Sequence, residues 1–189
     1  YGSDLTDKLD YLAVDYYDPF IRNFIRPMSA QDLKERRFRF NQELWEQVLN
    51  PRGMYHFLKA EAINSGGLPI MVLENGFCHR VKGGRVEPRH DGATRDVFLQ
   101  CYIYECMRAV KEGLPLKGYF HWTLVDNYEW GSYEPRFGIF TADRSRTPVR
   151  ISSVDSWGVN AAEAYRDIIS ALRSGETREI VEAFSRSGW

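Results

Sequence analysis

Two glutamates stand where this chain could do chemistry. Leu68-Pro69-Ile70-Met71-Val72-Leu73 is an apolar run that ends on Glu74-Asn75-Gly76, and Gly118-Tyr119-Phe120-His121-Trp122-Thr123-Leu124-Val125 runs on into Asp126-Asn127-Tyr128-Glu129-Trp130. Each reads as an apolar strand whose carboxyl end delivers an acidic residue. In parallel barrels the strands supply a packed core and the loops at their carboxyl ends build the site, so a carboxylate just past a buried strand reads as functional. Taken alone, Glu74 is better explained as a cap for the turn that follows it. Its surroundings have to decide.

The elements that must position these acids follow from pattern. Tyr11-Leu12-Ala13-Val14 is an almost continuous apolar run, as expected of a parallel strand covered on both faces, and it ends at Asp15-Tyr16-Tyr17. From Asp18 to Asn50 charges and aromatics alternate without period, which predicts a long loop with short helical pieces. Asn50-Pro51 offers an N-cap followed by proline in the first turn, Met54, Phe57, Leu58 and Ala62 fall on one helical face, and Ser65-Gly66-Gly67 stops the helix. The second strand starts at Leu68-Pro69, where proline is tolerated as an opening residue. A helix is predicted from Asp91 to Gly113, a third strand from Leu116 to about Val125, and a last helix around Tyr165, Ile168, Ile169 and Leu172. After Gly175 comes a charged amphipathic segment. Strand, helix and strand in this order, with no internal repeat, predict an α/β fold on a parallel sheet.

Composition sets the bounds. The chain has 189 residues, enough for one core, whereas a closed (β/α)8 barrel typically takes ~250. It opens on Tyr1-Gly2-Ser3 and runs almost at once into a strand, so part of a longer protein is expected. A formal net charge of -1 provides no field to steer it to nucleic acid or a membrane surface. The Arg36-Arg37-Phe38-Arg39-Phe40 run reads as a solvated loop. No apolar run approaches the ~20 residues of a membrane span, and no signal peptide is visible. Cys78, Cys101 and Cys106 form no C-x-x-C pair and are odd in number, and Cys101 and Cys106 point in different directions on their predicted helix. A reduced, cytoplasmic protein is expected. His56, His79 and His90 lack ligand spacing and His121 alternates with Trp122 toward the outer helices, so no metal site is expected.

The motifs together decide what the glutamates are for. Pro-Ile-x-x-x-Glu-Asn-Gly, followed by Gly-Tyr-Phe-x-Trp-x-Leu-x-Asp-Asn-x-Glu-Trp and by Arg136-Phe137-Gly138, resembles glycoside hydrolase family 1, the β-glucosidase type. Asp15-Tyr16-Tyr17 looks like that family's Asn-Tyr-Tyr strand. The resemblance covers roughly residues 5–150 and weakens after Thr147-Pro148. It implies that residues 1–175 are the C-terminal part of a (β/α)8 TIM barrel, about strands six to eight, with an amphipathic tail at 176–189. Strands one to five would be supplied from outside this chain, by the rest of the protein or a complementing chain.

The resemblance also implies roles. Retaining glycoside hydrolysis uses two carboxyl groups roughly 5–5.5 Å apart, a nucleophile on the anomeric carbon and an acid for the leaving oxygen. Glu74 occupies the nucleophile's position, and Tyr17 matches the tyrosine that donates its hydroxyl to it. Asp15, where the family usually has Asn, would lie near the sugar's 2-hydroxyl and raise the nucleophile's pKa. Leu73 replaces a commonly small residue, and strand alternation turns it away from Glu74. Trp122, Glu129 and Trp130 resemble the subsite for the non-reducing sugar. An indole lies under the ring, a carboxylate accepts the 4- and 6-hydroxyls, and a second indole donates to the 3-hydroxyl. Two tryptophans in a strand and turn are otherwise usually core, while Glu129 between Tyr128 and Trp130 has no evident structural purpose. An acid at that position disfavours 6-phosphosugars, so neutral β-glycosides or oligosaccharides are expected. Residues 131–135 are one residue shorter than the commonest family spacing.

The family's general acid lies in an Asn-Glu-Pro motif on strand four, which this chain lacks. Glu87-Pro88 and Glu134-Pro135 are preceded by Val86 and Tyr133 and follow no apolar strand, so both are expected in surface loops. The expectation is thus a retaining β-glycosidase without a cofactor, present here without its proton donor. Two alternatives stand beside it: a thioglucosidase-like enzyme, which needs no such acid, and a non-catalytic sugar-binding or structural half-barrel completed by a partner.

Overall fold

The computed structural model describes residues 8–18, 25–26, 29–37, 39–40 and 43–188. The opening Tyr1-Gly2-Ser3, Phe38 of the base-and-aromatic run, and Trp189 lie outside them. In chain order the elements are β1 (Leu12–Asp15), β2 (Ile25–Arg26), α1 (Ala30–Lys34), β3 (Arg39–Phe40), a 3-10 turn (Leu44–Glu46), α2 (Pro51–Asn64), β4 (Ile70–Glu74), β5 (His79–Lys82) and β6 (Arg85–Glu87). There follow α3 (Arg95–Lys111), β7 (Leu116–Tyr119), β8 (Pro135–Arg136), β9 (Ala142–Asp143), β10 (Arg150–Ile151), α4 (Ala161–Ser174) and α5 (Arg178–Ser187).

The three expected strands form one parallel sheet in the order β1-β4-β7, with α2 and α3 as the crossovers between them. Leu12 pairs with Ile70, Val14 with Val72, and Val72 in turn with Tyr119. Alternation sends Val14, Ile70 and Val72 to one face, where Met54 and Leu58 of α2 and Phe98 and Tyr102 of α3 close over them. Among the described residues nothing covers the opposite face. Tyr11, Leu73, Phe120 and Leu124 are exposed on this chain, as expected of barrel strands without the further strands that would cover their inner faces. Crossover helices shield only the face they lie on; the other face of such a sheet is filled by side chains of further strands when a barrel closes.

Two boundaries and one cap also differ from expectation, each for a local reason. Strand β7 ends at Tyr119, because from Thr123 the backbone turns to pair with residues 137–140 instead (Ile139 N to Thr123 O, 2.9 Å; Phe140 N to Leu124 O, 3.0 Å). Helix α3 starts at Arg95, since the Asp91 carboxylate is spent on the Ala93 N–H and the Arg89 guanidinium in the preceding turn. Asn50 precedes α2 but makes no side-chain cap; its N–H donates to the Tyr102 hydroxyl at 3.2 Å. Glu87 closes the short strand β6 rather than lying in a loop, whereas Glu134 lies in the loop just before β8, as expected. Strands β6, β5 and β8 form an antiparallel sheet, and Arg80 sits between Glu134 (2.9 Å) and Glu87 (3.4 Å).

After Gly175, α5 docks on α3: Ile180 joins Leu99, Ile103 and Ile168, and the Phe184 ring stacks on Tyr104 with centroids 4.1 Å apart. Among the described residues no helix is long and apolar enough to cross a membrane. The three cysteines are free and buried, and burial pushes the Cys78 and Cys106 thiols up to about 12.

One buried charge organises the loops. Arg95 is 0% exposed; its Nε donates to Asp155 (3.2 Å), its Nη1 to the Phe77 carbonyl (2.8 Å) and its Nη2 to the Arg136 carbonyl (3.0 Å). Asp155→Ala removes the ion-pair partner of that guanidinium, and breaking such a buried pair from one side costs about 3–5 kcal/mol. Urea unfolding checks this prediction. An unchanged midpoint would show that the backbone carbonyls suffice.

Candidate active site

The carboxyl ends of β1, β4 and β7 converge on one cavity of about 400 Å³, lined by Tyr17, Asp18, Leu44, Gln47, Glu74, Trp122, Glu129, Trp130 and Phe137. Five of the six residues expected to act together therefore meet there. Pairing along β1 and β4 skips Leu73, so that Val14 faces Val72 and Asp15 faces Glu74, and the Tyr16 N–H donates to the Glu74 carbonyl at 2.8 Å. Beyond this irregularity the two tyrosines part. Tyr16 enters the core against Phe57 and Tyr102, and the Tyr17 hydroxyl donates to Glu74 Oε2 at 3.1 Å. Burial, then the Glu74 charge, hold the Tyr17 hydroxyl far above its ordinary range, so it remains a neutral donor.

Asn75 and Gly76 explain why Glu74 is held where it is. Asn75 is fully buried; its Nδ2 donates to the Tyr16 carbonyl (2.8 Å), its Oδ1 accepts the Tyr119 hydroxyl (2.9 Å), and its carbonyl accepts the Trp122 N–H (2.9 Å). One side chain thus joins the ends of all three strands. A Cβ on Gly76 would fall 2.0 Å from the Trp122 carbonyl oxygen, a distance no side chain tolerates. The Glu-Asn-Gly sequence is therefore a single fixed corner.

The second wall is built on Asp126. Its buried carboxylate accepts the Gly138 N–H (2.9 Å) and the Thr141 hydroxyl (2.6 Å), and it lies 3.4 Å from Arg136 Nη1. A Cβ on Gly138 would meet Asp126 N and Phe140 O, each at 2.4 Å, which accounts for the glycine of Arg-Phe-Gly. At the loop tip Glu129 and Ser132 exchange backbone hydrogen bonds of 2.9 and 3.1 Å around Trp130 (φ 50°) and Gly131 (φ 98°). Positive φ at both central residues is a type I′ turn, an uncommon place for tryptophan. It leaves the Trp130 indole 78% exposed at the rim. Glu129 is buried below it and accepts the Trp122 Nε1–H at 2.9 Å.

Asp15 is the candidate that the structure does not bring in. It is exposed beside Glu74 in the sheet, but it lines a separate depression with Leu12, Phe57 and Glu61. Its effect on the cavity is through charge, since it adds to the rise in the Tyr17 pKa. His121 lies between Phe98 of α3 and Tyr165 of α4, on the helix side as expected, and burial holds it neutral. Glu87 and Glu134 do not line the cavity. Among the described residues no group of His, Cys, Asp or Glu is placed to hold a metal ion.

Sequence reasoning passed over Asp18, Leu44 and Gln47, and it gave Phe137 no role. Phe137 sat inside a quoted motif, and the Tyr17 ring meets it edge-on at 6.4 Å. The other three fall in the stretch without periodicity, where no pattern singles them out.

Comparison with known proteins identifies the family. The profile of Glycosyl hydrolase family 1 matches residues 2–170, and the chain belongs to that family. Beta-glucosidase A of Thermotoga maritima is 31% identical over 166 residues, which are 85% of this chain and 36% of that protein. A beta-galactosidase of Sulfolobus acidocaldarius is 32% identical over 154 residues, 74% of this chain and 28% of the relative. The structure of the Thermotoga maritima beta-glucosidase in complex with galacto-hydroximolactam superposes with a TM-score of 0.59 at 28% identity, covering 89% of this chain and 36% of that one. Its complex with deoxynojirimycin gives 0.57 at 29%, over 86% and 36%. The chain thus spans about a third of the length of these relatives, and its α/β fold corresponds to about a third of a family 1 barrel.

Proposed function

We propose that this chain is the C-terminal portion of a retaining β-glycosidase, with β1, β4 and β7 as barrel strands six, seven and eight. The single observation that supports this reading best is the joint opening of two hydrogen-bonded pairs, Tyr17–Glu74 and Trp122–Glu129, on one cavity at the strands' carboxyl ends. Glu74 attacks the anomeric carbon and forms a glycosyl ester that water then hydrolyses. Tyr17, a neutral donor, favours the ionised carboxylate and fixes its direction. The leaving oxygen takes its proton from a carboxyl group on the remainder of the barrel, and no cofactor is needed.

Trp122, Glu129 and Trp130 form the sugar subsite in this reading. An apolar pyranose face lies along the Trp122 ring, Glu129 accepts the 4- and 6-hydroxyls, and Trp130 covers the rim near the 3-hydroxyl. Burial makes Glu129 a poor neighbour for a phosphate, which favours neutral glycosides. That the Thermotoga maritima enzyme forms complexes with galacto-hydroximolactam and deoxynojirimycin supports a ligand of this kind.

Glu129→Ala tests the subsite. Loss of charge-assisted hydrogen bonds of about 1.5–3 kcal/mol is expected to lower kcat/KM for a neutral aryl β-glucoside roughly 10- to 100-fold. The 6-phosphoglucoside should lose less, because a repulsive charge goes with the carboxylate. Equal losses on both substrates would make Glu129 a scaffold for Trp122 and nothing more.

A further inference from the structure

Asp18 is the acid in the cavity wall that the proposed chemistry leaves unused. It directly follows Tyr17, is 6% exposed, and lines the same cavity as Glu74. Its Oδ1 accepts the Tyr16 hydroxyl at 3.0 Å and its Oδ2 accepts the Tyr102 hydroxyl. The Asn50 N–H, which donates to that Tyr102 oxygen at 3.2 Å, also favours the carboxylate. These partners come from the end of β1, the start of α2 and the middle of α3. Tyr17 lies between Tyr16 and Asp18, so its backbone is gripped on both sides while its own side chain reaches the cavity.

We infer that Asp18 is a positioning residue: by accepting two tyrosine hydroxyls from the helix side, its carboxylate clamps the 16–18 backbone and so fixes the Tyr17 hydroxyl on Glu74. The geometry of the clamp stands by itself; what it serves rests on the glycosidase reading of Glu74.

The clamp is expected to depend on pH. Burial lifts the Asp18 carboxyl to about 6, against the lowering effects of the Tyr102 hydroxyl, the Asn50 N–H, the Tyr16 hydroxyl and the Arg89 charge. Arg89 is the cation that faces it, and it is shared with Asp91; Glu74 and Glu129 share its cavity. Burial keeps the hydroxyls of Tyr16, Tyr17 and Tyr102 protonated, so the acid is the group that changes. As a carboxylate it accepts both hydroxyls. Once protonated it carries a donor of its own, and one hydroxyl must yield. The sign of the linkage follows from a raised pKa: relative to an unfolded value of ~3.9, the proton on Asp18 stabilises the fold at low pH, and that contribution is lost as pH rises through 6. Asp18→Asn, neutral at every pH, is therefore expected to stay folded.

The test follows Tyr17 directly. In protein carrying tyrosine labelled with 13C at Cζ, with the Tyr17 signal assigned through Tyr17→Phe, that signal should shift with a midpoint near pH 6. In Asp18→Asn it should stay at its low-pH position throughout, and in Asp18→Glu the titration should return. Tyr102→Phe, which removes one donor to the carboxylate, should move the midpoint upward. The same Tyr17 signal in wild type and Asp18→Asn from about pH 5 to about pH 8 would overturn the clamp. A second readout is the mass gained when 2-deoxy-2-fluoro-β-D-glucosyl fluoride esterifies Glu74. Its rate should fall about tenfold below pH 6 in the wild type and be uniformly low in Asp18→Asn. Labelling that never occurs while the Tyr17 signal behaves as expected would sink the glycosidase reading alone and leave the clamp standing.

Discussion

In the complete protein, Glu74→Gly is expected to abolish hydrolysis of an aryl β-glucoside, and azide is expected to restore turnover as the inverted glycosyl azide. Among the described residues no other carboxylate is free to take over the covalent route: Asp15 lies outside the cavity, Glu129 is bonded to Trp122, and Asp18, in the cavity wall, is held by the Tyr16 and Tyr102 hydroxyls. Removing a nucleophile that acts as part of a unit costs on the order of 10⁴-fold or more in kcat. Glycine leaves space on the side from which, in the proposed mechanism, Glu74 attacks the anomeric carbon. A small anion entering there displaces an activated leaving group once, and no second displacement returns the stereochemistry. Glu87→Gln and Glu134→Gln, which disturb only the Arg80 bridges, serve as controls that should keep activity. Undiminished hydrolysis by Glu74→Gly would remove the nucleophile assignment.

The second large effect concerns the 189-residue chain alone. Among the described residues the outer edges of β1 and β7 in the three-stranded sheet are unpaired, and Tyr11, Leu73, Phe120 and Leu124 are exposed. Unpaired edges next to apolar surface recruit other chains, so self-association in sedimentation experiments is expected. A missing general acid typically removes a further factor of about 10² to 10⁴ in rate. Hydrolysis by the lone chain should accordingly be negligible, and a polypeptide carrying the first five strands should restore both dispersity and activity. A monomeric 189-residue chain that cleaves β-glucosides unaided would show that the proton donor lies within it.

The sheet was legible in the sequence because its strands and crossovers each carry their own punctuation: Pro51 opening α2, Ser65-Gly66-Gly67 closing it, and Pro69 opening the strand before Glu74. Four members of the site were legible for another reason. Tyr17, Glu74, Trp122 and Glu129 sit in motifs whose remaining residues, Asn75, Gly76, Asp126 and Gly138, are fixed by close packing that allows few substitutes. What stayed hidden depends on contacts far apart in the chain. The skipped residue that puts Asp15 opposite Glu74 leaves no trace in strand alternation. Asp18 has its decisive partner, Tyr102, 84 residues away. Glu87 looked like a loop residue because a strand of three residues is too short to show a period, whereas Glu134 does lie outside the strands. The exposed sheet face followed from the strand count rather than from pattern, since apolar strands read the same whether or not a partner covers them.

The reach of Arg95 has a consequence for how the cavity behaves in time. One guanidinium holds the carbonyl of Phe77, three residues beyond Glu74, and the carbonyl of Arg136, at the base of the loop that carries Glu129. Because the same buried side chain closes both backbones, neither wall can come loose without stripping a charged group of its partners. Segments joined in this way open as one cooperative unit rather than fraying separately. The Glu74 corner and the Trp130 rim thus share one opening free energy, and the width between them is set from beneath, by a residue that does not line the cavity.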